Sequence, residues 1–268
     1  MQHKIDPVNT TAQVEIKIDE AFEHLPRAPI VEAVIDIQAR ATQNLEEPLL
    51  RSQLETRLES YRFLDSLREF HSEVKIEPGR PPSQVVRDLG WKGVRFRSSD
   101  EKHIAQFNRD GFAFSRFEPY VTWERFSEAA LTFWSIYQEI AQPREIHRIG
   151  LRYINRIQLP LGEMLFEDYI NAAPTPPTGL NLPFQKFMHH DTLTVPEQPY
   201  SINLIRTIQS PASAGATGFA LILDIDVFTP QVFELDEVKL THRLLEMRWL
   251  KNKAFFGSVT EKALERFR

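Results

Sequence analysis

The sequence contains no cysteine, and this absence excludes several kinds of chemistry at once. Without a thiol the chain can form no disulfide, no thiolate nucleophile and no cysteine-ligated zinc site. No apolar run approaches the length of a membrane span, and residues 1–22 are too polar for a secretory signal. We therefore expect a cytoplasmic protein that makes no membrane contact.

Excess positive charge is also lacking. The 268 residues include 32 Lys and Arg against 37 Asp and Glu, which gives a net charge of −5. Such a chain has no general attraction to nucleic acid, although a local basic face can still bind it. No glycine-rich phosphate loop, nucleophile elbow or zinc-protease motif is present. We expect no cofactor and no metal, and no residue stands out as catalytic.

The most distinctive segment that is present is a predicted β-strand at residues 147–160. Its residues alternate with period two, so one face is apolar apart from Asn155, while the other carries three arginines. Guanidinium groups suit phosphate or carboxylate ligands. Alternatively they pair with acids on a neighbouring strand, and residues 219–228 predict such a strand. We favour pairing, and the candidate binding residues are Arg148, Arg152, Asn155, Arg156, Asp224 and Asp226.

The remaining periodicity predicts an α+β fold of antiparallel meanders packed against helices. Further strands are predicted at residues 30–39, 71–77, 91–97, 103–108, 111–118, 182–195 and 200–209, with a possible edge strand at 14–18. Helices are predicted at residues 46–63, 122–140, 163–172 and 235–256, with a last short helix after Thr260.

Short internal matches indicate that the chain repeats itself. Pro26-Arg27 precedes the first strand and Pro143-Arg144 precedes the arginine strand, while Gly111-Phe112-Ala113 matches Gly218-Phe219-Ala220. The alternative is chance, because two- and three-residue matches are common. On the first interpretation the chain consists of an N-terminal arm at 1–19, a first α+β unit at 20–142 and a second unit at 143–268.

Four segments resemble a sporadically distributed family of uncharacterised bacterial proteins. They are Leu25-Pro26-x-Ala28-Pro29-Ile30-x-Glu32, Arg148-x-Gly150-x-Arg152-Tyr153-x-Asn155-Arg156-Ile157, Leu223-Asp224-Ile225-Asp226-Val227-Phe228 and Lys251-Asn252-Lys253-x-Phe255-Phe256. The resemblance spans nearly the whole chain. It implies a bacterial cytosolic protein of patchy occurrence, and it implies no activity, cofactor or catalytic residue.

Three functional hypotheses fit the sequence. The favoured one is a non-enzymatic accessory protein that holds a protein partner, such as a regulator or an antitoxin-like protein, and that forms a homodimer to cover its sheet edges. The second is a nucleic-acid-binding module that uses arginine-rich sheet faces. The third is a hydrolase or nuclease with Asp224 and Asp226 at a pocket between sheet and helix.

Overall fold

A single nine-stranded antiparallel sheet dominates the fold, which confirms the α+β class. The structure is a computed structural model, and it describes residues 14–75, 81, 83–159, 165–180, 182, 184, 186–209 and 218–268. The strands of this sheet are β1 (Ile30–Gln38), β2 (Tyr61–Lys75), β3 (Ser83–Ser98), β4 (His103–Asn108), β5 (Gly111–Phe117), β7 (Arg148–Gln158), β8 (Met188–Thr194), β9 (Ser201–Gln209) and β10 (Ala220–Phe228). Their spatial order is β2-β3-β4-β5-β1-β7-β10-β9-β8. The first strand and the arginine strand therefore lie side by side at the centre of the sheet.

The helices pack against one face of this sheet. They are α1 (Glu47–Arg57), α2 (Trp123–Ala141), α3 (Glu237–Ser258) and α4 (Glu261–Leu264), and Phe166–Asp168 forms a 3-10 turn. Two short strands, β6 (Glu145–Ile146) and β11 (Phe233–Glu234), form a separate pair. Among the helices of the described ranges, none is long and apolar enough to cross a membrane.

The core follows from the alternation of the central strands. Ile35 of β1 lies opposite Leu151 of β7, and both side chains are fully buried under the helices. Phe114 of β5 stacks on Phe133 of α2 with ring centroids 5.3 Å apart. Side-chain capping starts both long helices, because Thr122 and Asp236 accept hydrogen bonds from the first-turn amides. Burial of one face leaves the arginine side of β7 on the opposite, helix-free face.

The sequence prediction was wrong for two of the helices. The first helix was expected to reach Phe63 but ends at Arg57, because Tyr61 begins β2 and its ring packs edge-on against Phe133 at 4.8 Å. The helix expected at 163–172 is only the 3-10 turn where it is described, and residues 160–164 lie outside the described residues.

Two strand predictions also need correction. Of the strand expected at 182–195, the described residues form a strand only at Met188–Thr194, and residues 183 and 185 lie outside the described residues. Residues 14–18 form no strand. The strand expected at 71–77 is in fact the end of the much longer β2, and residues 76–77 lie outside the described residues.

The ends of β2 and β3 project beyond the sheet as a two-stranded arm. We use the term arm for residues 68–75 and 83–91, which pair with one another, whereas β3 pairs with β4 only from Gly93 onward. Every residue at 70–75 and 83–89 is exposed. An isolated two-stranded ribbon is at best marginally stable in water, so this arm has unusually little support from its own chain.

Candidate functional site

The arginine face of β7 carries a charged network in which Arg148 holds two aspartates. Its guanidinium donates to Asp36 of β1 at 3.1 Å and to Asp226 of β10 at 3.0 Å. The side chain can fold between them because Gly150 has no Cβ, which would lie 2.5 Å from Nη1 of Arg148. One arginine thus ties together three adjacent strands.

Arg152 makes the second contact of this face. Its Nε and Nη2 donate to the two carboxylate oxygens of Asp224 at 2.8 and 2.5 Å, a bidentate pair. The pairing expected from the sequence is therefore confirmed for Arg152. It is wrong for Arg156, whose exposed guanidinium has no acidic oxygen within 4 Å among the residues that the structure describes.

Asn155 does not belong to this face. It is buried on the helix side, where its amide donates to the backbone oxygen of Leu223 at 3.0 Å. The six candidate residues therefore divide between two sides of the sheet, and the structure does not bring them together as one site.

Burial has a larger effect than Arg148 on the pKa of two aspartates of the charged face. Desolvation raises the pKa of Asp36 and of Asp226, and the neighbouring Arg148 offsets only part of this effect. The hydrogen bonds that Arg152 donates to Asp224 raise the pKa of its guanidinium. Each arginine of the two contacts is thus neutralised by carboxylates of its own sheet, which makes the network a structural element of the sheet centre.

A cavity of about 960 Å³ lies on the other side of the sheet and opens to solvent. Its walls come from residues 18–31, Lys102, residues 118–124 up to the start of α2, the last residues of β7 and the second half of α3. Ligand cavities typically measure about 300–1,000 Å³, so this one has the size of a binding site. The N-terminal wall is fixed by Glu20, which accepts hydrogen bonds from Trp249 at 2.7 Å and from Lys253 at 2.6 Å.

Lys251 is the most unusual residue of this cavity. Its Nζ lies 4.2 Å from the centroid of the Tyr153 ring and donates to Oδ1 of Asn252 at 2.5 Å. Across the described ranges, no carboxylate oxygen approaches this amine within 4 Å. Burial, helped by the nearby charge of Arg248, lowers the pKa of Lys251 to about 7.

Two tyrosines complete the polar part of the cavity. The hydroxyl groups of Tyr120 and Tyr153 lie 2.9 Å apart, and either of them can be the donor. Desolvation raises the pKa of Tyr120 to about 12 and places that of Tyr153 well above its usual value. Both phenols stay protonated near neutral pH, so the pair keeps one O–H group that is not used between the two rings.

Sequence reasoning did not identify Lys251 or Tyr153 as site residues, although a signal existed. Leu240, Leu244 and Met247 are buried on the inward face of α3, and position 251 continues their helical spacing. A lysine at a position that periodicity assigns to the core is a marked exception to the pattern.

The cavity also gathers most of the segments that carry the family resemblance. Three of the four, those at 25–32, 148–157 and 251–256, contribute residues to its walls. The fourth contains Asp224 and Asp226 and contributes none.

No group of three or more His, Asp or Glu residues able to hold a metal ion occurs within the described part of the chain. Comparison of the sequence and fold with protein-family models, curated proteins and solved structures finds no match.

Proposed function

We propose that this chain is a non-enzymatic binding protein that holds a protein partner, and that the arm makes the contact. The observation that carries the proposal is the arm itself, whose strands β2 and β3 continue past the sheet with exposed apolar side chains. Phe70, Val74 and Val86 are 59%, 59% and 58% exposed. They share one face, because Val86 lies opposite Ser72, midway between the other two along β2.

The exposed face favours an intermolecular role on energetic grounds. An apolar side chain gains about 1.5–3 kcal/mol when it is fully buried. Phe70, Val74 and Val86 of the ribbon remain 58–59% exposed and so obtain less than half of this gain, and two-stranded ribbons need such support. Exposed strand edges also leave backbone donors and acceptors free to pair with another chain. A bound partner would supply both contributions.

We propose that a second copy of the chain is the first partner of the arm, giving a homodimer. The outer edge of β2 is self-complementary when two copies pair antiparallel about Ser72. In that register Glu69 faces Lys75, Phe70 faces Val74 and His71 faces Glu73 of the other copy. Shifting the centre to His71 places Glu69 opposite Glu73, and shifting it to Glu73 places that residue opposite itself. Opposite charges across strands stabilise pairing and like charges oppose it.

The paired arms would form a four-stranded ribbon with six apolar side chains on one face. These are Phe70, Val74 and Val86 of each copy. We propose that this enlarged face is the surface that holds the further protein partner, because larger contiguous apolar patches mark protein-interaction sites.

The experiment is light scattering combined with affinity capture from the source cell. The test variant is Phe70→Ser with Val74→Ser, and the control is Leu49→Ser with Val238→Ser, which removes two exposed apolar residues from helices. We expect a dimer for the wild type and the control, a monomer for the test variant, and a captured protein that only the test variant loses. If the wild type is a monomer but captures a protein that the test variant loses, only the proposed homodimer is contradicted. A monomer that captures nothing contradicts the proposed function.

We propose further that the two halves, 20–142 and 143–268, are repeated units, as expected from the sequence. The strand order supports this, since β1 is followed outward by β5, β4 and β3, and β7 by β10, β9 and β8. In each half, the strand beside the central strand is followed in the chain by a long helix: α2 follows β5, and α3 comes after β10. Among the strands that the structure describes, only those of the first half continue to a fifth strand, β2. The proposed partner-binding arm is therefore an addition to the pattern that the described parts of the two halves share.

The two other hypotheses receive less support from the geometry. Arg148 and Arg152 are occupied by carboxylates, which does not favour a phosphate backbone as their ligand. Asp224 and Asp226 are held by those same arginines, whereas a metal-dependent nuclease needs its carboxylates for the metal. The resemblance described above continues to favour a bacterial cytosolic setting.

A further inference from the structure

The cavity beside α3 shares no residue with the arm, and its chemistry points to a second kind of ligand. One of its cations is the half-buried Lys251, which interacts with the face of an aromatic ring and with a neutral amide. Lysines are seldom buried unless a carboxylate accompanies them. In the described ranges that carboxylate is missing, so the amine is arranged to receive a negative charge from outside the chain.

Three other cations near the cavity are held by oxygen atoms of the protein. Arg248 lies 3.7 Å from Glu124, Lys253 lies 2.6 Å from Glu20, and Arg27 donates to the terminal backbone at 2.9 Å. At the rim, Lys102 and Arg156 have no acidic oxygen within 4 Å among the described residues. Glu118 also lines this cavity and has no cation within 4 Å among the described residues, so it offsets part of the unpaired positive charge of Lys102, Arg156 and Lys251.

Aromatic side chains form part of the cavity walls. Phe22, Tyr120, Trp123, Trp249, Phe255 and Phe256 line the same cavity. Aromatic faces favour a flat or apolar ligand body, and large ligand sites typically combine such walls with a few polar groups that fix orientation. The remaining phenol proton of the Tyr120–Tyr153 pair supplies one further donor for an anionic oxygen.

We propose that the cavity binds an organic anion, a carboxylate or phosphate monoester with an aromatic or apolar body, whose charged group sits at Nζ of Lys251. The tyrosine pair donates to the same group, and the tryptophans contact the body. This inference does not depend on the proposed partner binding, since each site can exist without the other.

The test uses phenylacetate and phenyl phosphate as probes and phenylacetamide as the neutral match of the first. Binding is followed by calorimetry and by the fluorescence of Trp123 and Trp249, both of which line the cavity. The variant Lys251→Met removes the charge with little change in shape. The control Lys239→Met removes an exposed lysine from the first turn of the same helix.

We expect saturable binding of at least one anion, weakened about tenfold or more in Lys251→Met and unchanged in Lys239→Met, because only the first variant removes the charge-assisted contact to the anion. Phenylacetamide should bind equally weakly to all three proteins. The proposal is overturned if neither anion saturates below about 10 mM, if Lys251→Met binds as the wild type does, or if phenylacetamide binds the wild type as tightly as phenylacetate. Loss of fold is checked by thermal unfolding, and Lys251→Arg, which keeps the charge, should retain most of the affinity.

Discussion

Lys251 of α3 and Tyr153 of β7 form a cation–π pair across the sheet–helix interface, with Nζ 4.2 Å from the ring centroid. Each residue is polar, yet each occupies a position that periodicity assigns to the core. The pair joins the central strand to the long second-half helix at the cavity, and it places an ionisable group where burial is unfavourable to charge.

The stability of the protein should therefore depend on pH through Lys251. The lowered pKa, about 7 against an ordinary 10.5, means that the folded protein loses a proton that the unfolded chain keeps. Between these values unfolding takes up a proton, so wild-type stability rises with pH by up to about 1.4 kcal/mol per unit. Lys251→Met should be more stable than the wild type, with an advantage that falls by about 1–3 kcal/mol from pH 7 to pH 9. Urea unfolding at both pH values measures this, and parallel pH curves for the two proteins would disprove the assignment.

Removing Arg148 should destabilise the fold, because two half-buried carboxylates lose their partner. We expect Arg148→Met to lower the free energy of unfolding by about 2 kcal/mol at pH 7. The penalty should shrink near pH 4.5, because burial raises the pKa of Asp36 and Asp226 and protonation relieves the unpaired charges. The exposed pair Arg62–Glu101 provides a control, and Arg62→Met should cost less than about 0.5 kcal/mol. An equal Arg148→Met penalty at both pH values would contradict the network described here.

Much of the fold could be predicted from the sequence, because an element that is buried on one side has apolar residues at regular spacing. The alternation of residues 148–158 predicted both the strand and the separation of its arginines from its apolar face. The end of β2 was predicted as a strand at 71–77, but its continuation back to Tyr61 was missed because residues up to Phe63 were assigned to a helix. Tyr61 was assigned to a helix because Leu50, Leu54 and Leu58 precede it at helical spacing, although its packing against Phe133 belongs to the sheet.

The cavity could not be predicted in the same way. Its walls come from segments far apart in sequence, and only tertiary structure brings residues 18–31 next to the end of α3. Position 251 could have been flagged from its spacing alone. Its lack of a carboxylate partner is a property of the folded neighbourhood.

Reversing a charge at position 69 or 75 of the arm should weaken the proposed dimer. Glu69→Lys places like charges opposite each other twice in the proposed dimer, and so does Lys75→Glu. Each variant should weaken dimerisation by about tenfold, given two pairs at about 0.2–1 kcal/mol each. The double variant should recover most of the wild-type affinity in sedimentation equilibrium. Glu128→Lys on the exposed side of α2 makes the same change of net charge and should have no effect. Failure of the double variant to recover would rule out this register.

The most direct measurement for the proposed arm-mediated dimer is disulfide trapping, which the absence of cysteine makes unambiguous. In the register centred on Ser72, that residue faces its own copy, with Cα atoms about 4.5–5.5 Å apart, within the range of about 4.4–6.8 Å that a disulfide spans. His71 lies about 8 Å from its own copy, too far for a bridge. Under mild oxidation Ser72→Cys should give a covalent dimer on a non-reducing gel, while His71→Cys should remain monomeric. Equal cross-linking of both variants, or of neither, would contradict the account.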